Sequence, residues 1–374
     1  MKSIKVLHVY RTYFPDTQGG LEEVIRQICQ STKDCGIESR VFTLSRSPIP
    51  SVLERPEAEV YRTKLTAEIA SCSIAFGAIH LMKELVEWAD IIHFHFPWPF
   101  ADVLNLFVPK NKPTMLTYHS DIVRQKVLLK MYKPLMYRFL HSMKAIVATS
   151  PNYFATSEVL GKYAEKVEII PIGLGKDTYP PINSSLTELM RLKVGSDFFL
   201  FVGVLRYYKG LHILLEAAKG GDFKVVIVGA GPVERELHEK ATKLGLDNVL
   251  FLGYITDEEK VALYELSRAV VFPSYLRSEA FGVTLVEGLM YAKPIISCEI
   301  GTGTSYVNEH NVTGLVIPPS DSKSLKQAMV QLYRDDALCE RFGIAARKRY
   351  ETFFTSQLMA ERYASLYKRL VENF

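Results

Sequence analysis

Short apolar runs recur along the whole chain, each followed by a stretch with helical spacing. In the first half they cover residues 4–10, 39–44, 91–96, 114–118, 145–148 and 167–170. In the second half they cover 198–202, 224–228, 249–252, 269–272, 294–297 and 314–316. Runs of this length that are rich in Val and Ile and lack strict alternation read as strands buried on both faces, which is the signature of parallel sheet. Strand and helix alternate through two successive series, which predicts two doubly wound α/β domains. Between the series, residues 173–195 collect Gly173, Gly175, Pro180, Pro181, Ser184 and Ser185 with little hydrophobic period, so the break belongs there. The expected domains are 1–180 and 181–353. A last helix over about 354–374, with Leu358, Tyr363, Leu366 and Tyr367 at helical spacing, is free to pack on either.

Composition adds limits. At 374 residues, with 48% hydrophobic and 23% charged, the chain can bury two cores. A formal net charge of +4, with no run of five like charges and no zinc-type Cys/His cluster, gives no basis for nucleic-acid binding. Five scattered cysteines without metal spacing suit a reducing cytoplasm. The amino-terminal apolar run reads as a first strand rather than a signal peptide, and no apolar stretch reaches the 18 residues of a membrane span.

In open α/β sheets ligands bind beyond the carboxyl ends of the strands, so the residues that follow the strands are the candidates. After the first strand, Gly19-Gly20 precede a helix and allow close backbone approach, but no Gly-Lys-Ser/Thr makes this a Walker loop. His93 and His95 share one face of a strand. A metal reading fails there for want of a third ligand nearby in the sequence. His119 directly follows another strand, where a ligand-facing loop starts. In the second half, Arg206 and Lys209-Gly210 follow a buried strand and can neutralise phosphate. Gly229-Ala230-Gly231-Pro232 is a weak signal, because Glu234 replaces the third glycine of a dinucleotide fingerprint.

The strongest pattern is SEAFGVTLVEGLMYAKP, which begins at Ser278 and sets Glu279 and Glu287 eight residues apart. A helix opening near Gly282 would present free backbone N–H groups to an anion, with a carboxylate on either side for hydroxyls. Diphosphate between two polyols describes a nucleotide sugar. No Asp-x-Asp is present, which disfavours a carboxylate-held divalent metal; no metal and no cofactor beyond the donor are expected.

Together these residues resemble retaining glycosyltransferases of family 4, with the GT-B fold: two Rossmann-like doubly wound domains facing across a cleft. The resemblance rests on Gly19-Gly20, His119, Arg206 with Lys209-Gly210, Gly229 to Pro232 and, above all, the E-x7-E motif from Glu279 to Glu287. It implies that Glu279 sits by the donor sugar, that Phe281, Gly282 and Val283 meet sugar and diphosphate, and that Glu287 binds the ribose. It further places Gly19-Gly20 at the diphosphate, His119 at the sugar, backbone near Ile255 at the base, and the last helix back on the first domain. The family often reads Gly-Arg-Leu before its Lys-Gly. Here the residues are Gly203-Val204-Leu205, and Arg206 is expected to take over the phosphate role. The stretch from Cys298 to Val307 and the Arg206 to Gly210 run are similar to bacterial O-antigen mannosyl- and rhamnosyltransferases, which implies GDP-mannose as donor.

Residues 122–144 carry Arg124, Lys126, Lys130, Lys133, Arg138 and Lys144 without an acid. The segment reads as an amphipathic stretch for an anionic membrane and a lipid-linked acceptor, or as a core helix with a solvated face. The expected location is the cytoplasm, with peripheral association at the inner face of the membrane. Rival readings are a nucleotide-sugar epimerase of similar architecture and a non-catalytic donor-binding scaffold.

Overall fold

The computed structural model describes residues 3–69, 72–122 and 126–374, with backbone only at 126 and 127. The chain forms two compact units, Met1–Gly173 with Ser356–Phe374, and Leu174–Thr355. The division falls before the expected residue 180, because the connecting segment bonds into the second unit. Leu174 N donates to Phe354 O at 2.9 Å, and Tyr350 Oη donates to Leu174 O at 2.7 Å.

The first unit is built on strands β1 (Ile4–Val9), β2 (Ile37–Ser45), β3 (Val52–Glu54), β4 (Glu59–Lys64), β7 (Ile91–Phe96), β8 (Thr114–Tyr118), β9 (Ala145–Ala148) and β10 (Val167–Ile169), with a separate hairpin of β5 (Ala67–Ile69) and β6 (Cys72–Ile74). The sheet order is β10-β9-β8-β7-β1-β2-β4-β3. All pairs are parallel except β3 with β4. The apolar runs anticipated six of these strands. They miss β3 at the sheet edge, β4 beside it and the separate pair β5 and β6; in β4 polar residues such as Glu59, Arg62 and Lys64 interrupt the apolar run.

The second unit has strands β11 (Phe198–Val202), β12 (Val225–Val228), β13 (Val249–Gly253), β14 (Ser267–Phe272), β15 (Ile295–Cys298) and β16 (Gly314–Ile317), all parallel, in the order β13-β12-β11-β14-β15-β16. Each sheet reverses direction of growth once, between β1 and β7 in the first unit and between β11 and β14 in the second. Loops leaving the two strands at such a point splay apart and leave a crevice, so each reversal marks a ligand position.

The returning helix Ser356–Glu372 packs on helix Gly20–Thr32 of the first unit and buries Tyr363 and Tyr367. Among the described residues no helix is long and apolar enough to cross a membrane.

Candidate functional site

In the second unit the reversal joins two loops. One leaves β11 and passes through Arg206 and Lys209 to Gly210. The other leaves β14 and runs from Pro273 to Gly282. A backbone bond, Tyr275 N to Tyr208 O at 3.1 Å, ties them together. Gly210 has φ +73°, and a Cβ there would lie 2.0 Å from Pro273 O, so only glycine permits the contact. The result is an ion pair between Lys209 Nζ and Glu279 Oε2, with side chains 12% and 11% exposed. Ser274 Oγ donates to the same oxygen at 3.2 Å. Lys209 Nζ also lies 4.5 Å from the centre of the Phe272 ring. Glu279 Oε1 makes no hydrogen bond among the described residues and remains available to a hydroxyl.

Helix Val283–Met290 starts immediately beyond. Its N-cap is Gly282, at φ +89°, which offers no side-chain cap. The first-turn amides of Val283 and Thr284 have no intrahelical acceptor and receive no side-chain cap, the condition in which a helix start can bind an anion. Phe281 is buried, with its ring 6.1 Å from that of Phe354.

Glu287 lies in the same helix, 5% exposed, and both its oxygens are engaged. Oε1 accepts from Tyr179 Oη at 2.9 Å and lies 3.1 Å from Lys260 Nζ, while Oε2 accepts from Tyr264 Oη at 2.8 Å. Burial alone would lower the Lys260 pKa, but the charges of Glu287 and Asp257 outweigh it and raise it. Burial first, then Glu287, drives the Tyr264 hydroxyl well above its ordinary range, so it stays a donor. The sequence does not show this cradle, because Tyr179 lies in the break at 173–195 and neither Lys260 nor Tyr264 stands in a motif.

The other expected residues of this unit are more open. Arg206 is exposed and forms no ion pair among the described residues. Gly231 and Pro232 lie in the loop after β12, where Gly231 N donates to Glu234 Oε2 at 3.3 Å. Ile255 is half-buried after β13, just before a capping box formed by Thr256 and Glu259.

In the first unit, Gly19 is the N-cap of helix Gly20–Thr32, and Glu22 of its first turn braces the preceding loop. Glu22 Oε1 accepts from Thr12 Oγ1 at 2.9 Å and Thr17 Oγ1 at 2.8 Å. His119 follows β8 and is buried, and it joins a cluster that sequence spacing did not reveal. Register places His8 of β1 beside His93 of β7, and His95 beside Thr117 of β8. Since side chains two apart share a face, His8, His93, His95, Thr117 and His119 line one side of the sheet. There His93 Nδ1 bonds Tyr367 Oη at 2.8 Å, His93 Nε2 bonds Thr117 Oγ1 at 2.7 Å, and Thr117 Oγ1 bonds Tyr363 Oη at 2.9 Å. Burial lowers His8 and His119 to about 3, and takes His93 and His95 well below the ordinary imidazole value, so all four rings are neutral.

His8 thus supplies the third histidine that the sequence did not place near His93 and His95, and ligand atoms of the three lie within 4.8 Å of one another. Their lone pairs nevertheless do not converge. His93 and His95 stack at 4.4 Å with planes at 27°, while His8 Nδ1 and His95 Nε2 face each other at 3.1 Å and are taken up in a mutual hydrogen bond rather than aimed at a shared tetrahedral centre.

Comparison with known proteins gives the context of this geometry. Residues 18–175 match the model for Glycosyltransferase Family 4, and residues 190–349 match that for Glycosyl transferases group 1. A D-rhamnosyltransferase, WbpZ, of Pseudomonas aeruginosa is 53% identical over 94% of this chain and 93% of its own length. The O-antigen chain mannosyltransferase C of Escherichia coli is 48% identical over 99% of this chain and all, 100%, of its own. Among solved structures, that of Anabaena HepE in complex with UDP-glucose matches with a TM-score of 0.79 at 21% identity, covering 98% of this chain and 100% of that one. The two Rossmann-like sheets, the E-x7-E motif and these matches agree: the chain belongs to glycosyltransferase family 4 and is a glycosyltransferase of the GT-B fold.

Proposed function

We propose that this glycosyltransferase moves mannose from GDP-mannose to a saccharide or lipid-linked acceptor during O-antigen synthesis, with retention of configuration and without a metal. The observation that carries the reading is the Lys209–Glu279 pair beside the uncapped start of helix Val283–Met290. Cleavage of the donor builds positive charge on the anomeric carbon and negative charge on the leaving diphosphate. Lys209, Arg206 and the amides of Val283 and Thr284 stabilise the diphosphate, as preorganised donors do. Glu279 Oε1 accepts from a sugar hydroxyl, Glu287 from the ribose, and backbone near Ile255 meets the base. In the first unit, His119 bonds the sugar and Gly19-Gly20 approach the diphosphate. No protein nucleophile is needed if the leaving phosphate takes the acceptor's proton.

The relatives named above transfer D-rhamnose and mannose, which differ only at the 6-hydroxyl. Donor identity is tested by thermal shift and turnover with paired GDP-linked sugars that carry or lack that hydroxyl, beside UDP-, ADP- and dTDP-sugars. A bound donor raises the melting temperature by mass action. The reading expects GDP-mannose to give the largest shift. A larger shift with any UDP-sugar overturns it.

Peripheral binding to the inner face of the cytoplasmic membrane belongs to the same reading. Helix Lys126–Ser142 exposes Leu128 and Met131 beside Lys130, Lys133 and Arg138, while Arg124 lies outside the described residues. Co-sedimentation with vesicles should rise with anionic lipid and fall when Lys130, Lys133 and Arg138 are neutralised. Equal binding to neutral vesicles overturns this part.

A further inference from the structure

We propose that His95 and His8 are positioning residues that fix the tautomer of His119, so that its Nδ1 reaches the substrate as an N–H donor. The inference rests on the reading that His119 meets the donor sugar, and it adds what His119 offers there and which residues decide it.

Three buried rings form a continuous file. His119 Nε2 lies 3.0 Å from His95 Nδ1, and His95 Nε2 lies 3.1 Å from His8 Nδ1. Each ring is wholly or nearly wholly buried. A neutral imidazole has one N–H and one lone pair, and each of the two hydrogen bonds needs one proton. Three rings carry three protons, so two fill the bonds and the third must sit at one end of the file. Either it rests on His8 Nε2, leaving His119 Nδ1 a lone pair, or it rests on His119 Nδ1, leaving His8 Nε2 a lone pair. No mixed arrangement satisfies both bonds.

The ends of the file differ. His8 Nε2 is sealed in the core without a partner. His119 Nδ1 also has no partner among the described residues, but it is not among the sealed atoms. A buried N–H without an acceptor is rarer and less tolerable than an unmet lone pair. The proton is therefore excluded from His8 Nε2, which places protons on His8 Nδ1, His95 Nδ1 and His119 Nδ1. His93 takes no part, because its two nitrogens are held by Tyr367 and Thr117. At its open end the file presents a donor, suited to an oxygen lone pair of the sugar or phosphate rather than to a hydroxyl proton.

Long-range proton–nitrogen NMR of histidine-labelled protein without ligand reads the tautomers directly. The wild type should show His119 protonated at Nδ1, and a proton on His119 Nε2 overturns the inference without recourse to any variant. His95→Phe, checked for folding by its melting curve, should release His119 to a mixed or Nε2–H state and lower kcat about tenfold, the worth of one hydrogen bond. His95→Asn places an amide donor where Nδ1 stood, and should restore Nδ1–H on His119 and most of kcat. If His95→Phe fails to fold, His8→Phe gives the second reading, with loss of the single tautomer. An unchanged His119 spectrum in a folded His95→Phe or His8→Phe protein also overturns the inference. Failure of the underlying reading is separate: His119→Ala would then keep normal turnover, whatever tautomer the wild type shows.

Discussion

Lys209 Nζ and Glu279 Oε2 close an ion pair between loops that leave two adjacent strands, β11 and β14, at the point where the second sheet reverses its order. Neither residue neighbours the other in sequence; the strand order brings them together. Lys209→Ala should reduce kcat by about 10²–10³-fold, the usual effect of losing one preorganised donor to a developing charge. Release of nucleoside diphosphate with acceptor present measures it, and a loss under threefold would remove Lys209 from the chemistry.

Glu287 is held by Tyr179, Tyr264 and Lys260 inside one unit. Lys260→Met leaves the buried carboxylate short of its countercharge and should cost about 3 kcal/mol of stability. Tyr264→Phe removes one hydrogen bond to a charged group, costing about 1.5–3 kcal/mol. Urea unfolding of the two variants checks both values. If both unfold like the wild type, the cradle is not what fixes Glu287.

Gly210→Ala forces a side chain into left-handed backbone against Pro273 O. The two loops must part to admit it, at a cost of about 1–3 kcal/mol or more. Turnover should fall further than stability alone explains, because the parting separates Lys209 from Glu279. Circular dichroism beside kinetics distinguishes the two effects.

The buried histidines give a pH dependence of definite sign. In the fold the four rings stay neutral down to low pH, with His8 and His119 at about 3. Below the ordinary imidazole value of about 6.5 the unfolded chain binds protons that the folded chain refuses. Stability therefore falls as pH drops from 6.5 toward 3, by up to about 1.4 kcal/mol per pH unit for each ring. Denaturant midpoints at pH 7, 6, 5 and 4 test it, and a flat profile would mean the rings are charged in the fold.

Much of this was legible in the sequence. All twelve apolar runs became strands, because each keeps a largely apolar record, even in the half-buried edge strands β10 and β13. The edge strand β3 and its neighbour β4 did not, since polar residues such as Glu54, Glu59, Arg62 and Lys64 break their apolar record. Glu279, Lys209 and Gly282 follow strand ends, where chain order alone points to a site. The partners of Glu287 and His119 were hidden. Tyr179, Lys260, His8 and His95 meet them through register and packing across long separations, and no local spacing encodes that. His8 reads in its apolar run as an ordinary polar position, and the spacing of His95 pairs it with His93 alone.

The first unit is interrupted by the second, leaving at Gly173 and resuming at Ser356. On the ribosome this means that Tyr363 and Tyr367 are added only after the whole second unit has been synthesised. Until then the polar histidine face of the first sheet lacks its lid, while the second unit already has every strand it needs. Domains tend to fold in the order of synthesis, but here the later one can finish first. A chain cut short at Thr355 would keep an intact second unit and an amino-terminal unit that never closes.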